Sequence, residues 1–166
     1  MKFFRIILIC CCIIVLVGSN MACENKTEYL RIHVRANSDS SVDQKVKYEI
    51  KDEIVEYLTP ILNDCSSKNE AILKIRDSES AVNRLIDGFL KQKGFNYTSK
   101  ISIRRENFPT RVYDGTTLPA GEYEAVIVEL GKAVGANWWC VVYPPLCFSG
   151  GKVTYKSLLG ELFGKV

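Results

Sequence analysis

The chain has one histidine in 166 residues, His33, and this scarcity excludes much of the usual acid–base and metal chemistry. A tetrahedral zinc site built on one histidine needs several cysteines. Outside the N-terminal apolar run only Cys23, Cys65, Cys140 and Cys147 remain, and no two have the Cys-x-x-Cys spacing. No metal and no cofactor is therefore expected. The Gly-x-Ser-x-Gly nucleophile elbow is missing, and GKAVG at residues 131–135 lacks the Lys-Ser/Thr ending of a phosphate loop. Charge of one sign is also missing: the formal net charge is +3, which does not suggest a nucleic-acid partner. Repeats, low-complexity stretches and dividing linkers are absent as well, so a single domain is expected.

No apolar run reaches the roughly twenty residues that cross a bilayer as a helix. The longest, Ile6 to Val17, follows Lys2 and Arg5 and leads into the small, polar GSNMAC, which is the layout of an export signal. Residues 1–23 are therefore expected to be a signal peptide or an N-terminal membrane segment, and residues 28–166 the domain. Any contact with the membrane would run through that segment alone. Two exits compete, a cut after Ser19 or lipid attachment at Cys23, although Asn20 stands where a lipobox carries Leu. Without Lys2 and Arg5 the chain holds 20 basic residues against 19 acidic ones, close to neutral. Export also favours a disulfide between the nearest thiol pair, Cys140 and Cys147, leaving Cys65 over; the other reading is two buried free thiols.

What is present is clear periodicity. In LRIHVRA, Leu30, Ile32, Val34 and Ala36 alternate with Arg31, His33 and Arg35, which predicts a half-buried strand. A capping box at Ser41 and Gln44 opens a helix over Val42 to Leu58, with Val42, Val46, Ile50, Ile54 and Leu58 as its stripe and Pro60 ending or kinking it. A second box at Ser67 and Glu70 opens another helical stretch to Gly94, which DSES at residues 77–80 could split in two. From Phe95 the period changes to two. A strand through Ile101 and Ile103, a turn-rich connection, a strand from Tyr123 to Leu130, a hairpin loop GKAVGAN and a strand NWWCVVY follow. The predicted fold is α+β: a single domain with two or three helices packed on one face of a mostly antiparallel sheet.

Candidate chemistry is thin. His33 could act as a base for a distant cysteine or serine, or be a strand histidine bonded to a neighbour. Glu122 and Glu124 lie on one side of a strand and read either as a carboxylate pair or as its solvated face. Asn37, Ser38 and Asp39 sit before a helix, where such residues cap orphan amides. The segment ANWWCVVYPPLCF, residues 136–148, is the most unusual. Neighbouring strand residues face opposite ways, so Trp138 and Trp139 cannot share one core. If Trp138, Cys140 and Val142 face the helices, then Trp139, Val141 and Tyr143 either form an exposed aromatic surface beside Pro144 and Pro145 or are covered by the C-terminal KSLLGELFG.

RIHVRANSDSSVDQKVKYEIKDEI, FPTRVYDG, LPAGEYEAVIVELG and ANWWCVVYPPLCF together resemble the stage II sporulation protein R family of endospore formers. The resemblance runs from about Leu30 to Phe148. It implies an exported signalling protein, not an enzyme, acting in the space between forespore and mother-cell membranes. Its implied partner is a membrane-bound aspartic-type protease that processes the sigma factor E precursor. The expected partner-binding residues are Trp138, Trp139, Tyr143, Pro144, Pro145, Asn37 and Asp39, with Cys140 and Cys147 as the bridge. The competing expectation is an exported cell-wall or peptide hydrolase.

Overall fold

The computed structural model describes residues 28–113 and 116–145. Its order is β1 (Leu30–Arg35), α1 (Ser41–Leu62), α2 (Lys68–Gln92), β2 (Ser99–Phe108), β3 (Arg111–Tyr113), β4 (Thr116–Leu118), β5 (Gly121–Leu130) and β6 (Asn137–Tyr143). The main sheet has the order β2-β5-β1-β6, and β3 and β4 form a separate two-stranded ribbon. Of the three pairings in the main sheet, β1 with β5 is parallel and the other two are antiparallel. The architecture is the expected α+β domain, with two helices on one face of a mostly antiparallel sheet.

Local chemistry sets the helices. Ser40, one residue before the expected cap, accepts the Asp43 amide at 3.2 Å and starts α1. Val42 is exposed and Asp43 is buried in its place, so the buried stripe runs Val46, Ile50, Ile54, Leu58 and Leu62. Pro60 does not stop the helix at once. Burial of Leu62 draws the last turn into the core, and the chain leaves the helix within two residues of Leu62. In α2 the Ser67 hydroxyl accepts the Glu70 amide at 3.2 Å, while the Glu70 carboxylate reaches back to the Ser66 amide and hydroxyl. DSES does not break α2, because Ser78 returns its hydroxyl to the Lys74 carbonyl at 2.8 Å and the helix continues. It ends at Gly94, whose φ of +82° allows the Phe95 amide to reach back to the Leu90 carbonyl.

Two expectations about the sheet are corrected. β1 is buried on both faces rather than half-buried: Arg31 and His33 are as enclosed as Ile32 and Val34. GKAVGAN is also not a hairpin loop, because β1 lies between β5 and β6. The loop instead crosses the end of β1 and is fastened there. Gly135 donates its amide to the Ala36 carbonyl, Lys132 to Asn37 Oδ1 at 2.9 Å, and Ala136 to Asp39 Oδ1 at 2.6 Å.

A side chain on Gly135 would fall well inside contact distance of the Ser38 backbone, which has no flexible end to yield. Gly88, on α2, has open space around it. Gly135→Ala should therefore lower stability by about 1–3 kcal/mol, and Gly88→Ala should raise it by about 0.5–1 kcal/mol. Urea midpoints of the two variants, moving in opposite directions from the parent, check both.

Candidate functional site: the sheet face away from the helices

β6 divides its two tryptophans as strand geometry requires. Trp138 is buried on the helix side with Cys140 and Val142, the Lys51 ammonium 5.9 Å from its ring. Trp139 turns to the opposite face and is half-buried. There its indole stacks on His33, with centroids 3.7 Å apart, and meets Phe108 edge-on at 4.8 Å. Phe108 in turn packs edge-on against Tyr123 at 6.0 Å. This face is therefore largely covered, and Val141 is fully buried. The cover that is seen includes Phe108, Tyr123 and the β3–β4 ribbon, with Tyr113 and Leu118 buried. KSLLGELFG lies outside the described residues.

The face has two halves. One is ionic: Arg35 binds Glu106 and, at 3.1 Å, Glu129, while Arg104 reaches Glu129 at 3.0 Å. The other is aromatic and encloses the Arg31 guanidinium between Phe108, Tyr113 and Tyr123. His33 sits at the boundary, 3.7 Å from Glu106, and neither ring nitrogen makes a hydrogen bond of normal geometry. Burial lowers the His33 pKa to about 4, although Asn137 beside the ring favours the charged form. The imidazole is thus neutral at ordinary pH. It does not match the expected base paired with a cysteine or serine; as a strand histidine its polar neighbours are Asn137 and Glu106.

Asn37 and Asp39 lie at the other end of β6 from Tyr143. β6 pairs Asn137 with Arg35 and Tyr143 with Leu30, which separates the two ends by about 20 Å at strand rise. Their side chains are engaged internally. Asn37 donates to Asp43 at 2.9 Å while holding the Lys132 amide, and Asp39 holds Ala136. Asp43 also receives hydrogen bonds from Ser38 and Tyr97; burial pushes its carboxyl up, but these bonds outweigh that and hold it low. Lys47, fully buried below, donates to Gln44 and to the Ala136 carbonyl, and burial lowers its pKa. This cluster is a clamp joining β1, α1 and the β5–β6 crossing.

The expected binding residues therefore do not form one patch. Tyr143 and Pro145 are half-buried and Pro144 is exposed at the end of β6; Cys147 lies outside the described residues, and with it the expected bridge from buried Cys140. Glu122 and Glu124 are not a working pair: Glu124 binds Lys68 and Glu122 faces Arg105 at 3.5 Å. Arg31, Glu106, Tyr113 and Tyr123 were missed as site residues. The alternation of Arg31, His33 and Arg35 in the first strand, with aromatics in FPTRVYD and GEYE, was the available signal. Among the described residues no His, Cys, Asp and Glu group could hold a metal, and no helix is long and apolar enough to cross a membrane.

The class defined by this geometry is a small α+β domain whose sheet face away from the two described helices encloses basic residues beneath aromatic rings. The chain belongs to the stage II sporulation protein R family, whose profile matches residues 26–152. It is 38% identical over 119 residues to the stage II sporulation protein R of Bacillus subtilis (strain 168), covering 72% of this chain and 53% of that protein. The chain thus spans about half the length of the curated relative it matches. No solved structure is significantly similar to it.

Enclosure of neutral His33 makes stability pH-dependent. Between the unfolded imidazole value of 6.5 and the folded value of about 4, the unfolded chain binds the extra proton. Stability should be complete above about pH 6.5 and fall by up to about 3 kcal/mol as the pH drops towards 4. The lowered Asp43 and Glu129 carboxyls lose their contribution only below about pH 4.5. Urea unfolding at pH 7.5 and 5 should show the loss, and a His33→Gln variant that keeps the same slope would count against it.

Proposed function

We propose that this chain is an exported sporulation signal that binds a membrane-bound aspartic-type protease and favours its active state, so that the sigma factor E precursor is processed across the septum. The observation that carries this reading is membership of the stage II sporulation protein R family, with 38% identity to the relative of that name. An aspartic protease works through two carboxylates held together, so a ligand with higher affinity for the assembled state shifts the protease towards it. In this reading the N-terminal segment directs export and Cys140 and Cys147 form a bridge that fixes the end of β6.

Burial narrows the contact. Trp138 is in the core, and Asn37 and Asp39 are committed to the clamp. Tyr143, Pro144 and Pro145, with the open edge of Trp139, are the residues of the expected set that reach the surface and are not committed to the clamp. Large rigid side chains of this kind contribute apolar contact area at little entropic cost.

A hydrolase reading has one observation in its favour, the 3.7 Å approach of His33 to Glu106. Against it, His33 is 1% exposed and stacked under Trp139, out of reach of a substrate.

The variants separate these readings in a host that does not sporulate, coexpressing the chain, the protease and the precursor. Tyr143→Ala combined with Pro144→Ala should reduce precursor cleavage at least about tenfold, the scale of an interface hot spot, with circular dichroism unchanged. Full cleavage by that double variant would refute the contact surface. His33→Gln should retain cleavage, and loss of cleavage with the fold intact would support the hydrolase.

A further inference from the structure

Arg31 projects from β1 into the aromatic half of the face away from α1 and α2 and is fully buried. Its guanidinium carbon lies 4.3 Å from the Phe108 ring, 4.8 Å from that of Tyr123 and 5.8 Å from that of Tyr113. Among the described residues it makes one hydrogen bond, from Nη2 to the Tyr113 hydroxyl at 2.9 Å, and Nε and Nη1 have no partner there. Among the described residues no carboxylate pairs with it, and Glu106 and Glu129 on the same face are taken by Arg35 and Arg104.

An arginine stays charged in any folded environment. Ring faces offset part of its desolvation, but a buried cation without an anion remains costly, and an unsatisfied buried donor calls for a reason. A leucine or methionine would fill the same space without that cost. The guanidinium is instead a fixed charge with open donors, the arrangement that takes a carboxylate through two parallel hydrogen bonds. Tyr113 occupies the edge a carboxylate would use, and it does so with a single neutral hydroxyl. It is carried by the β3–β4 ribbon, three residues paired with three, which pairs with no strand of the main sheet. A two-stranded ribbon of that length has little stability of its own.

We infer that Arg31 is a carboxylate-binding site in which the Tyr113 hydroxyl is a placeholder. An acidic side chain of a protein partner displaces it and pairs with Nε and Nη2. The chemistry of the site does not depend on the proposed signalling role; only the assignment of the partner to the protease rests on that reading.

The test uses the exported chain labelled with ¹⁵N and follows the Arg31 Nε–H signal by NMR during titration with a blocked Gly-Glu-Gly peptide. Its Gly-Gln-Gly counterpart and sodium acetate serve as comparisons at equal ionic strength. The Glu peptide should move the signal saturably and the Gln peptide should not. Tyr113→Phe, which keeps the ring and removes the hydroxyl, should bind about fivefold tighter, as expected for losing one competing neutral hydrogen bond. Arg31→Gln should abolish the response of the amides of residues 110–113; if that variant fails to fold, the Tyr113→Phe comparison stands alone. No movement with the Glu peptide in either wild type or Tyr113→Phe overturns the site. Movement with acetate but not with the peptide overturns the protein partner as the source of the carboxylate. Because no protease is present, neither outcome bears on precursor processing.

Discussion

Enclosure of β1 on both faces is the constraint from which the rest of the structure follows. Its helix-side residues Leu30, Ile32 and Val34 need only apolar cover, which α1 and α2 supply. The opposite side carries Arg31, His33 and Arg35, and each demands a different environment. Arg35 is met by Glu106 and Glu129, His33 by the indole of Trp139, and Arg31 by three rings. Solving these three problems recruits β2, β5, β6 and the ribbon to one face, so residues far apart in sequence converge on a six-residue strand.

Placing β1 between β5 and β6 also forces the chain to cross over its end. The crossing would be weak if it relied on backbone alone, and the side chains of Asn37 and Asp39 hold it from below while Asp43 and Lys47 anchor them to α1. The residues of this polar loop are therefore fastenings of the fold even where, like Asp39, they stay exposed. At the other end of β6, Tyr143 and Pro144 emerge at the surface, where the proposed contact is placed.

Much of the fold was legible because periodicity reports burial. The four-residue stripe of α1, the serine caps and the Gly94 stop all appear in the sequence at or within one residue of where the structure uses them. The failures have a common cause. Alternation in LRIHVR gives the two faces of the strand but not what covers the second, and the Phe108–Trp139–His33 stack is made across more than a hundred residues. Similarly, the turn signals in GKAVGAN mark a loop but cannot say that another strand intervenes. The tryptophan split was readable from strand geometry; the commitment of Asn37 and Asp39 to the crossing was not, because their partners lie 95 and 97 residues away.

A domain that acts by being bound, the role proposed for this chain, has a distinctive kinetic consequence, since its effect is limited by occupancy of the partner and not by its own turnover. Adding the purified chain to membranes that contain the proposed partner protease and its precursor tests this directly. The account predicts that cleavage rises with chain concentration and saturates, that it needs the protease, and that the chain is recovered chemically unchanged. Cleavage of the precursor by the chain in membranes lacking the protease would contradict it.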